Sequence, residues 1–286
     1  MATNDLSHYS VYRTVIEQVM RGTESLPSLP SITIKVRQEL SSPNTTNRRL
    51  AEIIEKDPAL CALIVKNASN PYFNTAAKPK DLEGILRILG MTKINEIVML
   101  HSVKSLYTMR NPEIKSLYHL TWERLITKAI MSSVLANLLR FPGSDQIMVT
   151  SLLTEVGTLA VLSALNQVDN IPEPETYIRL CREYSMSLGV IILNKWGMNS
   201  TYVDALKKLG KWDLSQDDTI VLTDVLNLGL YQSILWQNSP HDLPPIHEIA
   251  AYNKLPTIFK DLQKSNILTV LENKRDEINE MLSILM

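Results

Sequence analysis

Residues 50–70 read LAEIIEKDPALCALIVKNASN, and the Asp-Pro step in their middle decides how they fold. Leu50, Ile53 and Ile54 recur at helical spacing before it, and Leu60, Leu63 and Ile64 recur after it. Asp57 is a favoured N-cap, and Pro58 at the first helical position forfeits only an N–H that has no intrahelical partner. The stretch is therefore two consecutive amphipathic helices, each with one face to bury.

The same punctuation continues outward. Towards the N-terminus, Thr46 in the loop SSPNTTN is placed to cap the helix that carries Leu50, and Ile32–Leu40 forms a helix after Pro27 and Pro30. Tyr12, Val15, Ile16 and Val19 mark a first helix over residues 9–21, which Gly22 ends. Towards the C-terminus, SNPYFNTAAKPK at 69–80 has no period and reads as a loop. Asp81 then caps a helix carrying Leu82, Ile85, Leu86 and Leu89, which Gly90 stops before Thr92 starts the next. Further helices are expected over 92–107, 112–140 with a break near Thr121, 145–166, 173–186, 188–197, 200–210, 217–237, 244–253 and 258–286. No segment alternates long enough to be a strand, no heptad pattern persists and no internal repeat occurs, so the fold class is all-α with many packed helices.

Composition agrees. Of 286 residues, 45% are apolar and 21% charged, with only 9 glycines and 3 phenylalanines, a balance that favours helix formers and allows a sizeable core. The 29 basic and 30 acidic side chains nearly cancel, so no overall field draws the protein to nucleic acid or to an anionic membrane. Cys61 and Cys181 each sit in an apolar helical pattern, as core residues in a reducing compartment do. No run reaches the ~18 apolar residues of a membrane span, and the N-terminus lacks a basic segment followed by an apolar one. The expected location is the cytoplasm.

Three stretches, LPSLPSITIKV at 26–36, LAEIIEKDPALCALIVKNASN at 50–70 and DLEGILRILGMTKINEIVM at 81–99, resemble the HDOD domain, a helical relative of the HD phosphohydrolases found in bacterial signalling proteins. Softer features continue the resemblance: Trp122 opening a helix, SLLTEVGTLAVLSAL at 151–165, and SLGVIILNKWGM at 187–198. There Gly189 permits a close helix approach and Gly197 ends its helix. The resemblance implies an N-terminal helix at 1–21 and an HDOD domain at 22–212, made of an N-terminal bundle (22–110) and an HD-like half (111–212). A helical C-terminal extension, 213–286, would pack on that core.

HD enzymes hold a divalent metal with a histidine on one helix, a His-Asp pair on a later helix and a further Asp, because several N and O donors must converge to generate a hydroxide. The resemblance places Arg124 at the first histidine, Thr154-Glu155 at the His-Asp pair, and Ser185 where relatives often carry another histidine. Arginine stays protonated and repels a cation. The expectation is no metal, no cofactor and no catalysis, with Arg124, Thr154, Glu155 and Ser185 lining a vestigial pocket. There Arg124 and Glu155 could pair, or Arg124 could reach solvent. His241-Asp242 lies in NSPHDLPP, where prolines disfavour a helix. His8, His101, His119 and His247 lack the helical spacing of a zinc site, and His101, on the Ile94, Ile97, Val98 face, reads as a satisfied core or boundary residue. Neither a GxGxxG nor a phosphate-loop or Gly-x-Ser-x-Gly pattern occurs.

The function implied is a non-catalytic output or adaptor module that contacts signalling proteins, with no membrane partner. Pro71, Tyr72 and Phe73 form a candidate contact surface, unless the two aromatics belong to the core. Apolar stripes on the first helix and on the last one (Leu271, Ile278, Met281, Leu282, Leu285) would serve self-association or the core. The alternatives are a nucleic-acid-associated regulator, resting on Lys207, Lys208, Lys211, Lys274 and Arg275, and a residual metal-dependent phosphohydrolase.

Overall fold

The computed structural model describes residues 2–21, 29–68, 79, 81–105, 112–166, 168, 171–213, 218–237, 243–263 and 266–286. The helices are α1 Ala2–Arg21, α2 Ser31–Leu40, α3 Asn47–Ile54, α4 Pro58–Ala68, α5 Leu82–Ser105, α6 Pro112–Leu138, α7 Ser144–Leu153, α8 Val156–Leu165, α9 Pro174–Lys195, α10 Ser200–Lys208, α11 Leu222–Trp236, α12 Ala250–Asn253, α13 Thr269–Glu272 and α14 Arg275–Leu285. Among the described residues the β-type pairing is a single isolated bridge, Leu262 to Leu268, so the fold is all-α. The chain divides into two compact units, residues 28–108 and residues 1–27 with 109–286.

In the smaller unit α2 to α5 pack around Val36, Leu50, Ile54, Leu60, Ile64, Leu86, Leu89, Ile94, Ile97 and Val98. The caps read from the sequence are in place. Thr46 Oγ1 accepts from the Arg49 N–H at 3.3 Å, Asp57 Oδ1 from Leu60 at 3.0 Å and Asp81 Oδ1 from Gly84 at 2.8 Å. At Gly90 the backbone turns to φ 77°, ψ 160°, a conformation that glycine adopts without a Cβ penalty, so α5 is two helical segments joined there.

Asp57 Oδ2 also lies 3.3 Å from His101 Nε2, giving His101 a partner at the edge of the core. Burial alone would raise the Asp57 carboxyl, but the Leu60 N–H, His101 and the Ala59 N–H outweigh it and hold the pKa below its ordinary value. A carboxyl lowered by folding stabilises above its unfolded pKa and ceases to do so as pH falls through the folded one. Asp57→Ala should therefore cost about 1 kcal/mol at pH 7. That difference should shrink below about pH 4, as urea titrations at the two pH values would read.

In the larger unit α6 is the central helix. Its first half keeps an exposed face, while from Leu125 to Ala136 nearly every residue is buried, Ile126, Ile130, Met131, Val134 and Leu135 among them, as a helical stretch covered on all sides requires. Helices α7, α8, α11, α13 and α14 pack on it, and the Trp122 indole N–H donates to the Leu285 carbonyl at 3.2 Å. The two terminal apolar stripes are spent inside this unit. Tyr12, Ile16 and Val19 of α1 are buried, with α1 packed on α8 and α9; Leu271, Ile278 and Leu285 are buried as well.

Several helix boundaries differ from expectation. Trp122 lies inside α6 rather than opening a helix, and α6 runs unbroken through Thr121, whose hydroxyl donates back to the Leu117 carbonyl at 2.7 Å and so stays within the helix. The helix read over 145–166 is two, separated at Thr154-Glu155, where Glu155 takes φ −107°, ψ 2°. Residues 173–197 hold one helix instead of two. The last expected helix, 258–286, begins as a short 3-10 turn and a bridge before α13 and α14, and 217–237 becomes helical only from Leu222, where Asp224 accepts the Val221 N–H at 2.9 Å. The segment Gln146–Leu165 is apolar and long enough to cross a membrane, but 83% of its apolar window is buried inside the protein; it is core.

Candidate functional site

Within the larger unit a cavity of about 170 Å³ opens between α6, α9, α11 and the α7–α8 turn. From α6 come Thr121, Arg124, Leu125 and Lys128, at the i, i+3, i+4, i+7 spacing that puts them on one face. From α9 come Tyr177, Ile178, Cys181, Arg182 and Ser185, and from α11 Leu230, Ser233, Ile234 and Gln237. The break between α7 and α8 delivers Glu155, and Thr158 follows one turn into α8.

The centre of the site is a residue that the sequence reading passed over. Lys128 is 1% exposed, and its ammonium donates to Glu155 Oε1 at 2.5 Å and to Thr154 Oγ1 at 2.8 Å. The Thr154 hydroxyl in turn donates to the Ser151 carbonyl at 2.7 Å, and Thr158 donates to Glu155 Oε2 at 2.9 Å. Both carboxylate oxygens are thus engaged. Burial works to raise the Glu155 carboxyl, but Lys128, Thr158 and then Arg124 outweigh it and hold it below the usual range. At the other end burial prevails and lowers the Lys128 ammonium. Burial also pushes the Cys181 thiol up to about 12, so it is no thiolate nucleophile near neutral pH.

Of the four residues expected to line a pocket, Arg124, Glu155 and Ser185 do so together, while Thr154 stands behind them as a Lys128 acceptor. The ion partner of Glu155 is Lys128, one turn along α6 from Arg124; Arg124 contributes from the same cavity wall. The signal for Lys128 was present in the sequence. Between Arg124 and Arg140 it is the single charged residue in an otherwise apolar helical run, and a charge embedded in such a run needs a buried partner.

A divalent metal does not fit this donor set. Only Glu155 offers an anionic oxygen, the ammonium of Lys128 already sits against it, and a second cation, Arg124, lines the same wall. Among the described residues no group of three His, Cys, Asp or Glu side chains is placed to hold a metal ion.

The sequence profile of the HDOD domain matches residues 26–209. The chain belongs to the HDOD domain family. Solved structures share the fold. A candidate metal-dependent phosphohydrolase from Shewanella amazonensis SB2B superposes with a TM-score of 0.71 at 16% identity, over 96% of this chain and 100% of that one. An HDOD domain protein with unknown function from Geobacter sulfurreducens gives 0.65 at 15%, over 96% and 97%. A candidate signal transduction protein from Marinobacter aquaeolei VT8 gives 0.59 at 15%, over 97% of this chain and 66% of that one. No curated protein is similar enough to count as a match.

The other expected features are distributed as follows. Pro71, Tyr72 and Phe73, and His241-Asp242, lie outside the described residues. Lys207, Lys208 and Lys211 are exposed, and the two in the last turn of α10 sit where the helix dipole favours cations. Lys274 pairs with Glu277 at 2.8 Å, while Arg275 forks onto Glu272 at 2.6 and 2.7 Å and stacks on Trp236 with 4.1 Å to the ring centroid. The basic pair near the C-terminus is therefore engaged within the protein.

Proposed function

We propose that this HDOD protein is a non-catalytic signalling module that acts by binding other proteins. The observation that carries the proposal is Lys128. Its ammonium lies on Glu155 and Thr154, where the resemblance puts the His-Asp pair of HD enzymes, while it puts a guanidinium, Arg124, at the first histidine. Metal-generated hydroxide chemistry needs an open coordination site with several lone-pair donors. This arrangement supplies fixed cations where the donors would converge.

The signalling context rests on membership of the HDOD family and on the fold shared with the Marinobacter aquaeolei protein named for signal transduction. Phosphohydrolase activity, which the name of the Shewanella amazonensis protein carries, finds no support in the donors of this chain. The two cysteines are free, which suits a reducing cytoplasm.

The test is elemental analysis of the purified protein together with hydrolysis assays on a generic phosphodiester and on nucleotides, with and without manganese. The expected result is no stoichiometric metal and no metal-dependent turnover. Stoichiometric metal with turnover that Glu155→Gln abolishes would overturn the reading.

A further inference from the structure

We infer that the groove between α2 and the second helical segment of α5 is a docking site for an acidic side chain of a partner protein. The groove, of about 320 Å³, lies wholly within the smaller unit and is lined by Arg37, Leu40, Ser41, Met91, Thr92 and Asn95. Arg37, Leu40 and Ser41 stand at i, i+3 and i+4, which puts them on one face at the end of α2, and Met91 and Asn95 stand one turn apart on the other wall. The turn at Gly90, with φ 77°, starts that second wall, and the packing of α2 on α5 sets the two walls side by side.

The polar groups of the groove are uncommitted. Among the described residues none gives a hydrogen bond or an ion pair to the Arg37 guanidinium, the Thr92 hydroxyl or the Asn95 carboxamide. Glu96, on the same segment of α5, is held by Lys93 at 2.8 Å, and Glu39 on α2 has a carboxylate oxygen buried without a partner. Neither neutralises Arg37. An unpaired guanidinium offers a planar fork that matches the two oxygens of one carboxylate, and a hydroxyl and an amide add further donors beside it. One guanidinium balances one negative charge, so a single carboxylate fits, and a polyanion meets no second cation in the groove.

The form of the groove points to a protein-borne carboxylate. Ser41, Met91 and Thr92 are exposed at its rim, whereas sites for free small ligands enclose roughly 70–90% of the ligand surface. A side chain tethered to a protein needs no such enclosure, because its neighbours make further contacts. Met91, 37% exposed, and Ile34, 44% exposed and one turn before Arg37, offer apolar surface for them. The charge of the unit agrees. Residues 28–108 carry 11 Lys and Arg against 7 Asp and Glu, although the whole chain stands at −1, so this unit draws acidic partners towards it.

This site rests on the protein-binding reading of the chain and gives the partner its chemistry. The test uses the full chain with isotope-labelled methionine methyl groups and NMR titration of a blocked Ala-Leu-Glu-Ala peptide, its Gln counterpart and free acetate at matched ionic strength. The Met91 methyl signal is identified by its loss in Met91→Leu and followed into the millimolar range of peptide. The expected result is a saturable shift with the Glu peptide and none with the Gln peptide. Arg37→Gln should weaken binding about tenfold or more, as losing a charge-assisted forked pair does, and Asn95→Ala should weaken it less. Lys35→Gln, at an exposed position of α2 outside the groove, should leave it unchanged. Each variant is first checked for an unchanged far-UV spectrum and cooperative melting. The absence of a saturable shift, equal affinity for the two peptides, or undiminished affinity in Arg37→Gln would overturn the site. Acetate binding as tightly as the Glu peptide would overturn the partner assignment in favour of a free small ligand, and a single-stranded oligonucleotide that binds where the peptide does not would overturn it in favour of nucleic acid. Metal-dependent turnover would overturn the non-catalytic reading and leave Arg37-dependent binding standing, so the two fail separately.

Discussion

Replacing Gly157 by alanine is expected to destabilise the larger unit by about 3 kcal/mol or more, lowering the melting temperature by roughly 6–10 °C. A Cβ at this position would lie 1.7 Å from the Ser185 carbonyl oxygen and 2.7 Å from the Gly189 backbone nitrogen. Both are main-chain atoms of α9, so no rotamer change relieves the clash and one whole helix must move. The helix that moves is costly to displace. α8 buries Val156, Leu159, Ala160, Val161, Leu162, Ala164 and Leu165, and separating it from α9 opens voids along that face. Gly189→Ala is the control. Its added methyl would meet the ends of the Leu206 side chain at 2.9 and 3.2 Å, which can swing aside, so the cost should stay near or under about 1 kcal/mol. Urea titration of both variants reads the contrast. Equal losses would mean that the backbone-to-backbone approach of α8 and α9 is not what requires glycine at 157.

The glycines also mark how far the sequence could be read. Gly90 and Gly197 lie at helix ends with φ of 77° and 62°, and their role is local, so punctuation alone located them. The caps at Thr46, Asp57 and Asp81 were legible for the same reason: a hydrogen bond three residues along depends on nothing distant. What pattern reading missed are the choices made by tertiary contacts. A break is expected near Thr121, yet its hydroxyl stays within α6, bonded to the Leu117 carbonyl, and meets the Tyr177 hydroxyl at 2.7 Å. The break at Thr154-Glu155 was invisible because the apolar run continues through it. It exists where the chain turns to bring a carboxylate to Lys128, a residue 27 positions away.

The candidate site was legible to the same depth. Resemblance brought Arg124, Thr154, Glu155 and Ser185 together, since it carries three-dimensional information that periodicity lacks. It said nothing of Lys128, which does not stand at one of the family's ligand positions. Arg182 was missed for a different reason. On the sequence it is one of many helix-surface charges, and only its place in the cavity wall sets it apart from its neighbour Arg179.

Replacing Glu155 by alanine should cost about 3–5 kcal/mol at pH 7, because it strands the Lys128 ammonium at 1% exposure with only the Thr154 hydroxyl as acceptor. The pH dependence fixes the cause. In the variant, the folded-state pKa of Lys128 falls below its unfolded value of about 10.4, so the unfolded chain binds more protons and stability rises with pH up to that value. In the wild type, Glu155 is held below its ordinary pKa. Its contribution is present above about pH 4.3 and is lost as pH falls through the folded value. The gap between the two proteins should therefore be widest from about pH 5 to 9 and narrow at both ends. Lys128→Met with Glu155→Leu, which removes both charges and refills the space, should return to within about 1 kcal/mol of wild type, since a buried ion pair and an apolar replacement are often close in stability. Recovery in the double variant would mean that the pair is kept for the charge pattern it gives the cavity and not for folding. A Glu155→Ala protein as stable as wild type at pH 7 would instead mean that the Lys128 ammonium reaches water, and that the pair is not the buried unit on which the non-catalytic reading rests.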